Sequence, residues 1–464
     1  MSDIYGIMSI AGQALMTQQQ AISVTSHNIA NVNTPGYSRQ RLNMTTNISL
    51  DSSVGLMGNG VSGDSIDQIY DRFLSVQISN ESQGLGKWEA QKNSVEMLEV
   101  IFNESDRSGL SQAMSKFWDA WQALTNNPSG ATERQVLVTA SQVLANTFNK
   151  LDGDLNKSQQ NLDLATRGTV AEINRLSEQL ADLNAKITSS EAGSLSANDY
   201  RDQREQVLKE LAELIDINTF EDANGEVSVL VASGRPLVAA DQFWQLSTEI
   251  NASSGLQDVV WVDDIGSTTD ITGDISGGKL KGLLEVRDFI IPDYMTRLDT
   301  LAGTLRTDLN LLHQSGFDLN GLAGEVFFVG TGTAADLEVN PNIVADLDFI
   351  AAASDPLTFP GDNRKAIEIA DLQHQLMMSA NTATYNDYYS SVVRDVGNEV
   401  LKSDSYYNHQ SDMMAQLENQ RESVSGVSLD EEMINLIKFQ NAYTAAAKLI
   451  TTADEMMQTI MQLL

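Results

Sequence analysis

Both ends of the 464-residue chain carry apolar residues at alternating spacings of four and three, with polar residues between them. Near the start this stripe comprises Ile4, Met8, Ala11, Leu15, Gln18, Ile22, Thr25, Ile29 and Val32, of which seven are apolar. Near the end it comprises Met433, Leu436, Gln440, Tyr443, Ala447, Ile450, Asp454, Met457, Met461 and Leu464, of which eight are apolar. A period near 3.5 residues is that of a coiled coil. These terminal stripes predict two helices of about 45 Å each.

Each terminal stripe is narrow and includes Ala, Gln or Thr, so a single helix of this kind buries little area to offset its ordering entropy. We therefore expect the ends to become ordered only against a partner. The residues that we assign to this assembly interface are Ile4, Met8, Ala11, Leu15, Ile22, Ile29, Met433, Leu436, Tyr443, Ala447, Ile450, Met457, Met461 and Leu464. Ser428 and the acids at 430–432 predict the start of the second helix.

The middle of the chain is predicted to be helical with one β-rich insertion. Helical spacing runs from about 67 to 215, with a break at 126–130, and returns at Leu283. Residues 31–37 are helix breakers, and residues 46–66 are predicted to form an extended connector. Phe117, Trp118 and Trp121 have the spacing of core residues in a helical bundle.

Residues 216–286 alternate glycines with short β-rich runs at 227–231, 243–246 and 259–262. Asn224-Gly225 between two such runs predicts a two-residue hairpin.

The predicted fold is mainly α with a small inserted β domain. Its predicted domains are a terminal coiled coil (1–45 plus 424–464), a helical bundle (46–215 plus 287–423) and the β-rich insertion (216–286). Because the bundle uses both halves of the chain, the termini should lie together at one end.

The charge of the chain is unevenly distributed. The 63 acidic and 29 basic residues give a net charge of −34. Residues 1–45 carry a net +1 and residues 433–464 a net 0, so the whole acidic excess lies between them. Such a middle repels its copies, while the neutral ends can pack closely against other chains. The charge argues against binding to nucleic acid or to anionic lipid.

The sequence lacks the patterns of a membrane span and of a secretory leader. No run of 18 apolar residues occurs, so no membrane insertion is expected. The first residues carry an acid where a leader would place a base, and no small-residue cleavage site follows.

Motifs for catalysis are weak. The chain has no Cys, and its four His (His27, His313, His374, His409) are too scattered to predict a metal site. Residues 273–280 approach a phosphate-binding loop, but Leu280 replaces the Ser or Thr that would hold magnesium, so a glycine turn before a helix is the preferred interpretation. Two calcium-like loops, 221–225 and 317–321, have apolar Val231 and Phe327 where a bidentate Glu belongs. We assign no catalytic residue, metal site or cofactor.

Residues 28–37 (NIANVNTPGY) resemble the N-terminal signature of the bacterial flagellar rod, hook and hook-associated protein family. The signature residues are Asn28, Asn31, Asn33, Thr34, Gly36 and Tyr37. The continuation YSRQ (37–40) is closer to the hook-associated members at the hook–filament junction than to rod or hook subunits. Further similar segments are 425–432 with 439–443, 200–204, 282–288 and, more loosely, 310–316.

This resemblance implies a structural role without enzymatic activity. Identical subunits would form a ring at the distal end of the hook, between the hook protein and the next junction protein. The family's terminal helices pair as an inner coiled coil around the axial channel. Export to the cell exterior would proceed through the flagellar type III export apparatus without a cleaved leader, after a cytoplasmic chaperone has held the C-terminal segment. The variable insertion is smaller than in longer members.

Three alternatives remain open from the sequence. A hook or rod subunit of the same family would share the signature. A cytoplasmic coiled-coil scaffold would share the amphipathic ends. A nucleotide-binding enzyme would use the glycine loop near Lys279.

Overall fold

The computed structural model describes residues 2–52, 55–103, 109–192, 196–222, 225–231, 233–358 and 360–463. The helices are α1 (Ser2–Ala30), α2 (Arg72–Phe102), α3 (Leu110–Asn126), α4 (Ala131–Glu191), α5 (Asn198–Leu214), α6 (Gly278–Glu285), α7 (Ile291–Gln314), α8 (Pro341–Ala345), α9 (Arg364–Asp371), α10 (Tyr385–Ser425) and α11 (Leu429–Leu463). The strands are β1 (Gln40–Thr46), β2 (Leu50–Ser52), β3 (Gly55–Met57), β4 (Val61–Gln68), β5 (Ile217–Glu221), β6 (Val227–Val231), β7 (Arg235–Ala239), β8 (Gln242–Phe243), β9 (Leu246–Ile250), β10 (Gln257–Val262), β11 (Thr268–Asp270), β12 (Phe328–Val329) and β13 (Glu338–Val339).

The two ends of the chain form long helices that pack against each other. The end of α1 meets the start of α11, where Asn28 Nδ2 lies 3.1 Å from Glu432 Oε2, so the pair is antiparallel. The helix breakers end α1 as predicted, and Gly36 turns the chain with a φ of +79°. Acids occupy the first turn of α11, where they favour the helix dipole. The predicted fold class, mainly α with termini paired and a small β insertion, is confirmed.

A β-hairpin lies along α1. Strands β1 and β4 pair from Gln40 and Gln68 to Thr46 and Val61, with an irregularity after Asn43, and both strands contact α1. Thr17 Oγ1 donates to the carbonyl oxygen of Val61 at 3.1 Å. The extended connector predicted for 46–66 is therefore largely paired strand, which its few apolar side chains did not indicate.

The middle of the chain is a helical bundle around an aromatic core. Helices α2 and α10 run antiparallel, and α3, α4, α7 and α9 pack beside them. Phe117, Trp118 and Trp121 are fully buried, as predicted, and contact Phe327, Phe328 and Tyr385. The predicted break at 126–130 separates α3 from α4.

The β-rich insertion follows α5 and forms two antiparallel sheets, with strand orders β5-β6-β7-β8 and β9-β10-β11. The sheets share a core with α4, α5 and α6. Asn224 of the predicted hairpin lies outside the described residues, but Glu221 pairs with Val227, so the loop is longer than two residues.

The glycine loop before α6 has a packing role. Gly278 adopts a φ of +75°, and a Cβ there would overlap the backbone of Ile215 at the end of α5. Among the described helices, none is long and apolar enough to cross a membrane.

Candidate assembly site at the junction of the chain ends

The predicted interface residues of α1 are all buried or half-buried. Ala11 is only 1% exposed, and the other five are half-buried: Ile4, Met8, Leu15, Ile22 and Ile29. The most buried positions of α1 are small or polar, including Ala11, Ala21 and Asn28. Small side chains let two helices approach closely, so α1 and α11 pair with a thin core.

On α11 the face turned toward α1 differs from the predicted stripe. Its buried residues are Glu432, Ala446 and Ala453, one position away from Met433, Ala447 and Asp454 of the stripe. Four predicted interface residues are half-buried: Leu436, Ala447, Ile450 and Met457. Three are exposed: Met433 (55%), Tyr443 (39%) and Met461 (71%). Leu464 lies outside the described residues.

A set of apolar side chains therefore remains exposed on the helix pair, and we call it the exposed apolar set. On α11 it includes Met433, Ile434, Ile437, Tyr443, Leu449, Met456 and Met461, and on α1 Tyr5, Ile7 and Met16. Exposed apolar surface beyond scattered single residues marks interaction sites in soluble proteins.

Asn28 of the signature lies at the centre of the junction and is 1% exposed. Its Oδ1 accepts from Tyr37 OH at 2.8 Å and from the Gln40 backbone N–H at 3.0 Å. Its Nδ2 donates to the Gln40 carbonyl at 2.9 Å and to Glu432 Oε2 at 3.1 Å. Asn28 thus ties α1, the turn, β1 and α11 together with one side chain.

Arg39 brings a second connection between the two ends. Its Nε lies 2.8 Å from Glu432 Oε1, and its Nη1 lies 2.7 Å from Glu431 Oε2. The Glu432 side chain is 3% exposed, so this carboxylate needs both Arg39 and Asn28 as partners. The Arg39 backbone N–H donates to the Ser425 carbonyl at 2.8 Å, which fixes the end of α10 as well.

Helix α5 supplies carboxylates to the other side of the junction. Asp202 accepts from the Ser38 backbone N–H at 3.0 Å and from Gln68 Nε2 at 2.5 Å. Asp199 accepts from Gln40 Nε2 at 2.7 Å and lies 3.3 Å from His27 Nε2. Burial raises the pKa of Asp202 to about 6, although the Ser38 N–H opposes this shift. At neutral pH the Asp202 carboxyl is ionised and its hydrogen bonds are charge-assisted.

Burial also raises the pKa of Tyr37, and the nearby Asp199, Asp202 and Glu432 raise it further. The phenol therefore stays protonated and donates to Asn28.

A cleft of about 520 Å³ lies beside this junction. It is lined by residues of the turn, α2, α5 and α10, among them Gly36, Tyr70, Glu205 and Arg421.

The other signature residues shape the turn. Asn31 Nδ2 donates to the His27 carbonyl at 3.0 Å, and Thr34 Oγ1 donates to Asn31 Oδ1 at 3.1 Å. Asn33 and Thr34 are exposed.

Sequence reasoning missed Arg39, Asp202 and Glu432 as junction residues. Asp202 lies in segment 200–204 and Glu432 in segment 425–432, and the family resemblance of these segments was the one available signal.

The arrangement binds and positions helices, and its chemistry is that of hydrogen bonding and apolar contact. In the described part of the chain, no group of three or more His, Asp or Glu side chains is placed to hold a metal ion. The calcium-like Asp318 instead accepts hydrogen bonds from the backbone N–H groups of Asn320 and Leu322, which closes a turn.

Three family models match the chain. Residues 95–328 match the helical domain of flagellar hook-associated protein FlgK. Residues 8–37 match the flagella basal body rod protein model, and residues 418–463 match the C-terminal model of the flagellar basal body rod FlgEFG proteins. The rod models cover most of the two terminal helices and the signature turn, whereas the hook-associated model covers a large part of the region between them.

Whole-length relatives agree with these models. The flagellar hook-associated protein 1 of Bacillus subtilis strain 168 is 28% identical over 98% of this chain and 97% of its own length. The protein of the same name from Escherichia coli K12 is 26% identical over 98% and 99%.

A solved structure shares the fold. The flagellar hook junction protein FlgK from Burkholderia pseudomallei superposes with a TM-score of 0.69 at 16% identity, over 75% of this chain and all of that one. The resemblance found in the sequence is confirmed, and since the helical-domain model alone spans half of the residues, this chain belongs to the flagellar hook-associated protein FlgK family.

Proposed function

We propose that this chain is a structural subunit of the junction between the flagellar hook and its filament, assembled from identical copies at the distal end of the hook. The observation that carries the proposal is the exposed apolar set on the α1–α11 pair. It lies on the two parts of the chain that have almost no net charge, while the remainder is strongly acidic. Copies can therefore meet through their ends with the least electrostatic cost.

The predicted interface residues fall into two groups under this proposal. The buried or half-buried members hold α1 and α11 together within one copy. The exposed members Met433, Tyr443 and Met461 contact neighbouring copies, and Leu464 extends the same stripe. The domain division predicted from the sequence follows the same logic, because the terminal coiled coil is the unit that assembles.

The remaining partners follow from the role. The hook protein would lie on one side of the ring and the next junction protein on the other. The chain would be made in the cytoplasm, held at its C-terminal segment by an export chaperone, and passed through the flagellar export apparatus to the exterior. The exposed apolar side chains of α11, such as Ile434 and Ile437, support a need for cover before assembly. The role requires no cofactor and no enzymatic reaction.

The alternative to test against the junction role is a hook or rod subunit, because the models that match both ends are named for rod proteins. The match of residues 95–328 to the hook-associated helical domain favours the junction. Immunogold labelling of isolated hook–filament structures decides between them. We expect a band at the distal end of the hook, and labelling along the hook or rod would overturn the proposal.

The interface itself is tested with Met433→Asp. Met433 is 55% exposed and directly follows the acidic first turn of α11, so an added acid there should leave the α1 contact in place. In a strain that lacks the native gene, this variant should leave hooks without filaments, because a desolvated charge opposes contact between copies. The matched control is Leu401→Asp, which changes a 70% exposed apolar residue on α10 and should retain filaments. Normal swimming with Met433→Asp would refute this interface.

A further inference from the structure

Helix α4 has a surface from which acidic residues are excluded, although acids outnumber bases by 63 to 29 in the whole chain. Between residues 131 and 168, every exposed charged side chain of α4 is basic. The acids of this stretch are buried (Asp152, Asp163) or half-buried (Glu133, Asp154). We call the following exposed residues the basic face: Val136, Val143, Lys150, Lys157, Leu164 and Arg167.

The basic face is one continuous stripe. Its residues from Val136 to Leu164 recur every seven positions, which is close to two helical turns, so they follow one side of α4 for about 42 Å. Val136, Val143 and Leu164 are 50%, 47% and 58% exposed, so the stripe combines apolar side chains with positive charge. Exposed acids return farther along the helix at Glu178 and Asp182.

Helix α2 has the opposite arrangement near its end. Between residues 89 and 100, every exposed charged side chain is acidic. The basic residue of this stretch, Lys92, is half-buried and its Nζ lies 2.6 Å from Asp404 Oδ1 of α10. Met97 (59%) and Val100 (74%) add exposed apolar area. We call the following residues the acidic face: Glu89, Asn93, Glu96, Met97, Glu99 and Val100.

We propose that the basic face of one copy docks on the acidic face of the next copy. The inference rests on the proposed assembly from identical copies. Both faces are exposed in the single chain, so they do not cover one another within it. They match in charge, and each adds large apolar side chains. A contact between two different surfaces joins copies head to tail, and it closes into a ring when the rotation between copies permits.

The size of the contact limits its role. The acidic face extends about 17 Å along α2 and is about as wide as one helix. Such a contact buries far less than the roughly 800 Å² per partner that a stable interface needs. It therefore does not hold free chains together. Charge pairs of this kind fix orientation and exclude wrong neighbours, so the docking orients copies that the chain ends have already brought together.

Exchanging the charges of the two faces tests the docking. In a strain that lacks the native gene, Lys150→Glu combined with Lys157→Glu should leave most hooks without filaments, because acids then face acids. Adding Glu89→Lys and Glu96→Lys to the same chain should restore the filaments, which are counted by electron microscopy. A first variant that retains its filaments, or a combined variant that does not regain them, would overturn the docking.

A matched control separates the docking from an effect of net charge. Glu178→Lys with Glu210→Lys, at exposed positions of α4 and α5 outside both faces, returns the same charge to the chain with Lys150→Glu and Lys157→Glu. This combination should not restore the filaments. Restoration by it would show that total charge is decisive and would contradict the docking.

Cross-linking shows which surfaces meet, and the absence of Cys makes it specific. Met97→Cys is combined with Val143→Cys or with Leu164→Cys, and isolated hook–filament structures are treated with a long, flexible bismaleimide. At least one pair should give a ladder of multimers on a denaturing gel, whereas each single variant should remain a monomer. Dimers from a single variant, a product joined to another flagellar protein, or no product from either pair would refute the docking of copies.

Failure of the junction role is distinguishable from failure of the docking. Immunogold labelling along the hook, together with a ladder of multimers, would overturn the role and retain the docking. Labelling at the distal end of the hook, without a ladder and without restored filaments, would overturn the docking alone.

Discussion

His313 is a fully buried titratable side chain in the middle of the chain, residues 69–428, which we call the body. Its Nδ1 lies 2.6 Å from the Glu325 carbonyl, and its Nε2 lies 2.9 Å from the Ala351 backbone N. Nδ1 must therefore carry the proton and donate, while Nε2 accepts. Trp121 and Phe327 pack against the ring. Burial lowers the pKa of His313 to about 4, so the neutral form is the folded form.

This pKa predicts the acid sensitivity of the body. The folded-state pKa lies below the unfolded value near 6.5, so the stabilisation is complete above pH 6.5 and is lost as the pH falls toward 4. The change is on the order of 3 kcal/mol. Urea unfolding should show that the stability gap between the native chain and His313→Gln narrows by this amount over that range.

The control for His313 is His409→Gln, since His409 is exposed on α10. Its stability should follow the native pH curve throughout. Curves for the native chain and His313→Gln that run parallel between pH 7 and 4 would contradict the assignment.

Asn28 predicts how the signature stabilises the junction. Its amide group makes four hydrogen bonds and lies beside the Glu432 carboxylate. Asn28→Asp removes two donors and places two carboxylates together. The terminal module, residues 2–68 and 429–463, should therefore lose about 2–4 kcal/mol of stability. Hydrogen exchange at Gln40 should accelerate in this variant at neutral pH.

The comparison variant is Asn33→Asp, which makes the same chemical change at an exposed signature position. It should leave exchange at Gln40 unchanged. If both variants behave alike, the signature acts through the turn as a whole and not through Asn28.

The sequence could identify the signature residues but not what each one does. Asn28 and Glu432 are 404 residues apart, and local spacing carries no information about such a pair. The spacing of Arg39 and Glu432 in the sequence likewise does not predict that they form an ion pair. The aromatic core was predictable because Phe117 and Trp121 lie on one face of one helix.

At the scale of the elements, glycines set how closely the helices approach. Helix α2 crosses α5 and α6 at Gly86 and Gly282. A Cβ on Gly86 would overlap the carbonyl oxygen of Glu213. A Cβ on Gly282 would overlap the carbonyl oxygen of Lys87. Backbone atoms cannot rotate away as side chains do, so the helices would have to separate.

This crossing predicts opposite outcomes for two glycine substitutions. Gly86→Ala should destabilise the body by several kcal/mol, roughly the cost of overpacking plus displaced neighbours. Gly168→Ala on α4 meets nothing within 4 Å and should stabilise by up to about 1 kcal/mol through helix propensity. Thermal unfolding checks both, and a stabilising Gly86→Ala would show that the helices do not cross this closely.

The pattern of apolar residues predicted the long helices and the break between α3 and α4, because those features repeat with a fixed period. It did not predict the hairpin of β1 and β4, whose strands carry mostly polar side chains and whose support comes from α1. Nor did it give the face of α11 that meets α1. The periodicity favours large apolar residues such as Tyr443 over Ala446 and Ala453, whose side chains have little apolar area. The small size of these two alanines is nevertheless what permits the contact between α11 and α1.

At the scale of the whole molecule, structure and charge divide the chain in the same way. The body, residues 69–428, contains the three hydrophobic clusters and most of the acidic excess, whereas the terminal module, residues 2–68 and 429–463, has a thin core and a set of exposed apolar side chains. The expectation that the ends become ordered only against a partner stays a prediction. The observed α1–α11 contact gives each end a first partner within its own chain.

This division predicts that self-association strengthens with salt. Copies that meet through their weakly charged ends must bring their acidic bodies within reach of one another, and the Debye length falls from about 30 Å at 0.01 M salt to about 10 Å at 0.1 M. Sedimentation velocity at fixed protein concentration should show larger species as sodium chloride rises, while Met433→Asp remains monomeric throughout. An interface built on ion pairs would weaken as salt rises. Association that decreases with salt would therefore place the contact between copies on charged surfaces of the body and not on the exposed apolar set.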